Sequence, residues 1–300
     1  MKSISAIIVV KNNPPHLFET LASIDNLVSE IIIGNIDIGN DYKKRLLENK
    51  KVKIVDLPSD TPFADLVKED LKNQASGEYI LYLDPDEIFP VKTIPYLLSN
   101  NGKYDYYLFP RKNLIFAKWI QHSRWWPDYQ LRLFKKKSVI WPKLIHPIPK
   151  AKGNEYKFEA KEQNAILHYN FENLDQYLEK ATRYAKSEAL VLTDYSLTKA
   201  TKNSLSEFIS RYFADEGYKD GMHGLALAVL QMFYYFLVYF YYWEKGGYSA
   251  TAETSNIKTI RSYFFNLLYE SNFWLIKKKI KNSFNKLALK IENVFLRIFG

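Results

Sequence analysis

The 300-residue chain has no cysteine, which excludes disulfides and thiolate metal sites and is compatible with a reducing compartment. It has neither a GxGxxG nor a GxxxxGKS/T stretch, so a standard dinucleotide site and a P-loop are both excluded. Internal repeats and low-complexity tracts are missing as well. The N-terminus, Met1 to Val10, carries one charge and a short apolar run, without the long apolar segment and small-residue cleavage site of a signal peptide. It reads as a first β-strand, and the expected location is the cytoplasm. Two segments are short of charge of one or both signs. Gly224 to Trp243 has none in twenty residues, while Ser271–Gly300 has one acid, Glu292, against seven Lys or Arg.

Aromatic residues are abundant, with 23 Tyr, 19 Phe and 6 Trp, a loading that suits sugar stacking, a membrane interface or a Tyr-rich core. The net charge of +9 favours anionic partners such as nucleotide phosphates or phospholipid headgroups. Nucleic acid is not expected, because the positive charge gathers in the tail and no recognised module is present.

Along the first 90 residues strands and helices alternate. Ile4 to Val10 is a continuous β-branched run of the kind buried on both faces of a sheet. Pro14-Pro15 opens a helical pattern, Ile31-Ile32-Ile33 forms a second strand and Val52 to Val55 a third. Phe63 to Gln74 reads as a helix leading into Tyr79 to Leu83, an apolar run that stops at Asp84-Pro85-Asp86-Glu87. The order implies a doubly wound α/β half whose loops at 11–13, 34–41 and 84–87 meet at one crevice. Two aspartates one residue apart at a strand end suit Mg²⁺ or Mn²⁺, which share their shell with substrate phosphates; the plain alternative is a turn.

Shorter strands follow to His168, and from Asn173 the pattern turns helical. Gly224 to Trp243 is long enough to cross a bilayer, but Gln231 and six Tyr or Trp favour a helix packed under the domain or lying in the headgroup layer. Phe273, Trp274, Ile276, Ile280, Phe284, Leu287, Ile291, Phe295 and Ile298 form an apolar stripe through the basic tail, reading as one membrane-surface helix or as a helix closing over a neighbour.

Three blocks, Val10-Lys11-Asn12, Gly77 to Glu87 and Lys118 to Phe134, give the chain a likeness across about residues 3–185. It resembles the family-2 inverting glycosyltransferases of the GT-A fold, specifically the bacterial lipopolysaccharide-core β-glucosyltransferase-like branch. The resemblance implies a Rossmann-like mixed sheet flanked by helices over residues 1–172, followed by a helical, membrane-associating region over 173–300. It further implies that Asp84 and Asp86 are the DxD pair, with Asp86 the direct metal ligand, that His168 is a further metal ligand, and that Asp128 is the general base. Lys11, Lys68 and Arg132 fall on the donor side. The loop after the second strand departs from the family's Asp-x-Gly-Ser, leaving both Asp37 and Asp41 as candidates to hold base and ribose. Pro147 after His146 is a second departure, where that branch often has Glu.

The chemistry agrees with these residue types. A carboxylate such as Asp128 can deprotonate an acceptor hydroxyl. A divalent cation held by Asp86 can neutralise the departing diphosphate, with Arg132 or Lys68 adding fixed charge. On the acceptor side stand His122, Arg124, Trp125, Trp126 and His146, which bind a glycan or brace their loops; Trp119 is a further sugar face or a core residue. The expected reaction transfers a sugar from a nucleoside-diphosphate donor, UDP-linked, to a glycolipid or surface-polysaccharide acceptor at the inner face of the cell membrane. The alternative is a membrane-bound scaffold that keeps the fold without the chemistry.

Overall fold

Residues Ile4–Lys11 form β1, whose side chains enter two apolar clusters alternately: Ala6, Ile8 and Val10 on one face, Ile7 and Val9 on the other. A strand covered on both faces has no polar side, which is why its sequence is continuously apolar. In this computed structural model, residues 3–61, 63–100, 102–143, 148–250, 253–278 and 282–299 are described. From β1 the chain runs through α1 (Leu17–Ile24), β2 (Glu30–Ile36), α2 (Asn40–Leu47), β3 (Val52–Asp56), α3 (Lys68–Gln74) and β4 (Tyr79–Tyr82). It continues through β5 (Glu87–Ile88), α4 (Ile94–Ser99), β6 (Tyr106–Phe109), β7 (Arg111–Ile115) and β8 (Lys118–Trp119). Then follow β9 (Gln130–Lys135), β10 (Val139–Ile140), β11 (Lys150–Ala151), β12 (Glu155–Lys157) and β13 (Ile166–Phe171). The last helices are α5 (Leu174–Val191), α6 (Leu197–Ile209), α7 (Met222–Lys245), α8 (Glu253–Lys278) and α9 (Ser283–Phe299).

The chain divides into two compact units, Met1–Leu114 with Trp126–Asn170, and Ile115–Trp125 with Phe171–Gly300. In the first, a seven-stranded sheet has the order β12-β6-β9-β4-β1-β2-β3. Strands β4, β1, β2 and β3 are parallel, and β9 enters antiparallel to β4 and β6. The mixed α/β sheet flanked by helices is the expected one. Leu17, Leu21 and Ile24 of α1 and Leu46 of α2 cover one face, and Leu71 of α3 with Trp141 the other. The chain proceeds from β1 through β2 to β3 and then returns to the opposite side of β1 as β4. A switch point therefore opens between the carboxyl ends of β1 and β4, the place where open α/β sheets bind ligands.

Two details differ from the expected boundaries. Gly34 belongs to β2 rather than to a loop, and a Cβ there would lie 2.7 Å from a methyl of Leu71 and 3.0 Å from one of Leu57. The segment Ile115–Trp125, expected within the sheet domain, groups with the helical unit.

In that second unit Ile115, Ile120, Phe171, Tyr177 and Leu227 make one core, and Ala185, Tyr195, Ala200 and Val238 another. The 24-residue α7 is long and apolar enough to cross a membrane, and it packs against α5 and α6. The tail stripe, expected as one helix, is divided between α8 and α9, which end and begin at Lys278 and Ser283; Ile280 lies outside the described residues.

At the amino ends of the parallel strands the buried carboxylate of Glu30 gathers β1, β2, β3 and the entry to β4. Its Oε2 accepts from Ser5 Oγ at 2.5 Å, Ser76 N at 2.8 Å and Ser76 Oγ at 2.9 Å, and its Oε1 from Lys53 Nζ at 2.6 Å. Burial alone would raise the Glu30 pKa, but the Lys53, Ser5 and Ser76 bonds outweigh it and bring the pKa down to about 2. A lowered folded-state pKa contributes stability that is complete above the ordinary carboxylate range and disappears as pH falls toward the folded value. Glu30→Gln is expected to cost about 2–3 kcal/mol at neutral pH and to flatten the loss of stability between about pH 5 and 2. Urea titrations across that range measure both effects, and an unchanged acid limb would contradict the assignment.

Candidate active site

At the carboxyl end of β4 the chain turns sharply: Glu87 N donates to Asp84 O at 3.1 Å, and Asp84 N donates to Glu87 Oε2 at 3.2 Å. Asp84-Pro85-Asp86-Glu87 is thus a turn, and the turn sets three carboxylates at the switch point. β5 then pairs antiparallel with β13, in a register that sets His168 opposite Glu87. Tyr169 N donates to Asp86 O at 3.0 Å, so backbone bonds hold Asp86 beside His168. The His168 Nε2 and Asp86 Oδ1 atoms are 3.7 Å apart. On the other side, Thr20 Oγ1 donates to Pro85 O at 3.2 Å, and the Tyr169 ring stacks on His16 with centroids 3.7 Å apart.

Two arginines neutralise part of this acid. Pairing of β9 with β4 brings Arg132, almost fully buried, beneath the turn, where its Nη2 lies 2.8 Å from Asp84 Oδ2 and 2.5 Å from Glu87 Oε1. Arg111 on β7 reaches Glu87 Oε1 at 3.2 Å and donates to Asp128 Oδ2 from Nε at 2.8 Å and Nη2 at 2.6 Å. Burial would raise the pKa of Asp84, yet Arg132, Lys68, His168 and Arg111 together hold it well below the usual carboxylate range. Burial would lower that of Arg132, and Glu87 and Asp84 raise it instead.

Asp128 is linked to His168 through Asn113, a fully buried residue of β7. Asn113 Nδ2 donates to Asp128 Oδ2 at 3.1 Å, and its Oδ1 lies 2.7 Å from His168 Nδ1. A carboxylate only accepts, so the amide orientation is fixed; an amide oxygen only accepts, so Nδ1 carries the proton. Nε2 is then the ring nitrogen left on the Asp86 side. This is the arrangement by which metal-ligating histidines are oriented. The remaining Asp128 oxygen, Oδ1, accepts from Gln130 Nε2 at 2.7 Å. Four donated bonds fix this carboxylate, and by lone-pair count Oδ1 retains one further acceptor position.

The residues expected at the site are distributed unevenly. Asp84, Asp86, Asp128, Arg132 and His168 come together. Arg132 faces inward onto carboxylates rather than outward onto a donor, correcting its expected role. Lys68 is buried, pairs with Asp65 at 2.8 Å and lies 4.9 Å from the Trp141 ring centroid. Lys11 is exposed at the end of β1, and Asp37 and Asp41 are exposed around the start of α2. Asn12 and Asp37 both adopt left-handed backbone at strand ends, a conformation their residue types tolerate. In place of either aspartate, Asn35 organises the loop, accepting from Ile38 N at 2.8 Å and donating to Asp56. Trp126 is half-buried in the first unit, and His146 lies outside the described residues.

His122, Arg124 and Trp125 belong to the second unit, where the first two serve as braces. His122 Nδ1 lies 3.3 Å from Asp220 Oδ1, and Arg124 pairs with Asp215 at 2.9 Å and Glu207 at 3.2 Å. Ser123 and Arg124 sit consecutively in left-handed backbone, secured where Ser123 N donates to Asp215 O at 2.8 Å. The Trp125 ring centroid lies 5.8 Å from the Arg211 guanidinium. Sequence reasoning missed Glu87, Arg111 and Asn113. The polar residues interrupting the β-prone run of β7 were the available signal.

Among the described residues no three His, Asp or Glu side chains gather as a ready-made metal cage. The donors that fit a divalent cation are therefore two, Asp86 and His168, a number suited to an ion that completes its shell with substrate oxygens and water. Among the described residues, ion pairs join Asp84, Glu87 and Asp128 to Arg111 or Arg132, and His168 lies beside Asp86.

No protein-family model matches the sequence. Among solved structures, the chain is similar to S. aureus TarS 1-349 in complex with UDP, at 12% identity over 98% of this chain and 88% of that one, with a TM-score of 0.44. The same TarS fragment with UDP-GlcNAc matches 75% of this chain and 79% of that one, at 14% identity and a TM-score of 0.38. Glucosyl-3-phosphoglycerate synthase from Mycobacterium tuberculosis, with Mn²⁺, UDP and phosphoglyceric acid, matches 37% of this chain and 43% of that one, at 17% identity and a TM-score of 0.29.

Removing Arg132 would leave Glu87 buried with less compensation, so Arg132→Met is expected to destabilise the fold by about 3–5 kcal/mol. Adding Glu87→Gln should restore part of that loss in urea melts. Strict additivity of the two single effects would refute the pairing.

Proposed function

We propose that the chain is a glycosyltransferase of the GT-A fold that moves a sugar, with inversion, from a nucleoside-diphosphate donor to a glycan or lipid-linked acceptor. The observation that carries this reading is the chain of bonds from Asp128 through Asn113 to His168, whose Nε2 lies 3.7 Å from Asp86 Oδ1 at the switch point.

Asp86 and His168 would hold Mg²⁺ or Mn²⁺, which when bound stabilises negative charge developing on the leaving diphosphate. Arg132 and Arg111 orient Asp84, Glu87 and Asp128 through their ion pairs. Asp128 Oδ1, held by Gln130, has an acceptor position with which to take a proton from an acceptor hydroxyl. Asn113 positions both Asp128 and His168, so base and metal ligand share one support. The sequence blocks that resemble family-2 enzymes contain Asp84, Asp86, Asp128 and Arg132 and add to this reading. UDP is the nucleotide the resemblance favours.

Membrane association belongs to the same proposal. On α9, Phe284, Leu287, Ile291, Val294, Phe295 and Ile298 are exposed, and α8 ends in Lys277 and Lys278. An amphipathic helix with nearby basic residues suits an anionic lipid surface, consistent with a peripheral position on the inner face of the membrane.

Isothermal titration of UDP with Mn²⁺ should give binding in the micromolar range. Asp86→Ala should abolish the metal-dependent part, and Asn113→Ala should weaken metal affinity about 10–100-fold. Asp128→Asn should retain nucleotide binding while losing at least about 100-fold in transfer rate. Absence of binding at millimolar UDP would favour the scaffold alternative. Separately, sedimentation with vesicles is expected to require anionic lipid and to weaken with rising salt, whereas equal binding to neutral vesicles would remove the electrostatic part of the argument.

A further inference from the structure

A cavity of about 620 Å³ lies wholly within the helical unit, among the loop from Leu192 to Thr198, the end of α7 and the start of α8. Its volume is within the ordinary range of small-ligand sites. One wall is aromatic, supplied by Tyr239, Tyr242 and Trp243. The lining also includes residues with short hydroxyl and amide side chains, among them Thr198, Asn256 and Thr259.

The walls are held in place by their own bonds. Tyr242 Oη donates to Thr193 O at 3.1 Å, and Trp243 Nε1 donates to Ser249 O at 2.9 Å. Lys245 Nζ donates to the carbonyls of Leu190 at 2.7 Å and Leu192 at 3.0 Å, tying the end of α7 to the loop after α5. The charges at the rim are thereby committed. Lys245 is spent on carbonyls, and Asp194 pairs with Lys199 at 2.5 Å. A phosphate would meet no uncommitted cation among these lining residues, and a metal ion would meet a single carboxylate already paired. A lining that combines aromatic rings with hydroxyls and amides is the chemistry that recognises an uncharged polyol ring: C–H faces stack on the π-systems while ring hydroxyls exchange hydrogen bonds with the polar groups.

We propose that this cavity is a binding site for a neutral saccharide, separate from the nucleotide site and independent of whether the carboxylate–arginine cluster transfers a sugar. Trp243 supplies the stacking face and Thr259 one of the polar contacts.

Saturation-transfer NMR on the full chain tests it, with the methyl β-glycosides of glucose, galactose and N-acetylglucosamine as probes. Ring protons of at least one probe are expected to receive saturation. Trp243→Leu should weaken the apparent affinity about tenfold. Thr259→Val, which keeps the shape of the wall, should weaken it severalfold with an unchanged thermal melt. Both variants should bind UDP with Mn²⁺ as the parent chain does. The proposal is overturned if none of the three probes receives saturation, or if transfer persists undiminished in both variants. Loss of UDP binding in the parent chain alongside intact saccharide transfer would count against the nucleotide reading and leave this site standing.

Discussion

The site depends on one buried guanidinium. Arg132 bridges Asp84 and Glu87 beneath the turn at the end of β4, where burying a carboxylate without a paired cation would be costly. Moving a charge out of water costs several kcal/mol, recovered only when geometry and hydrogen bonds are both good. The consequence is a division of labour among adjacent acids. Glu87, fully buried, is structural; Asp84 is half-exposed and compensated; Asp86 is the one whose neighbour is an imidazole rather than an arginine.

The sheet makes that arrangement possible by separating stability from function along the strand axis. At the amino ends Glu30 fastens four strands through Ser5, Lys53 and Ser76. At the carboxyl ends polar residues converge that would be costly to bury without a scaffold of this rigidity. Gly77 belongs to the first set. A Cβ there would lie 2.6 Å from Ser5 N, so the approach of the β4 entry to β1 requires glycine.

How much of this was legible in the sequence follows from the range of the interactions. β1 and β4 were readable because burial on both faces leaves a local, continuous apolar signature. Asp84 and Asp86 were readable because they interrupt that signature at a strand end. Gly34 was misread as a loop residue, since its small size answers to Leu71 and Leu57, packing partners well separated in sequence. Arg111 and Asn113 gave little sign of their roles, because His168 is brought near only by β7 lying beside β13, and Asp128 comes from the segment before β9. For His122 and Arg124 the residue types left glycan contact and loop bracing both open, and the pairs with Asp220, Asp215 and Glu207, far along the chain, were not legible locally.

The same reasoning explains why the Asp128–Asn113–His168 connection is more informative than any single carboxylate. A lone Asp at a strand end is as often a turn residue as a ligand, and an Arg–Asp pair is as often structural as functional. Asn113 is neither charged nor exposed, and its two amide atoms are matched to two different partners in the only orientation that satisfies both. Burying an amide between a carboxylate and an imidazole stabilises the fold little compared with an apolar side chain of similar volume. What the amide adds is a fixed proton at His168 Nδ1, with Nε2 set toward Asp86. A device that specifies which nitrogen bears the proton has use where something is to be bound at the other nitrogen.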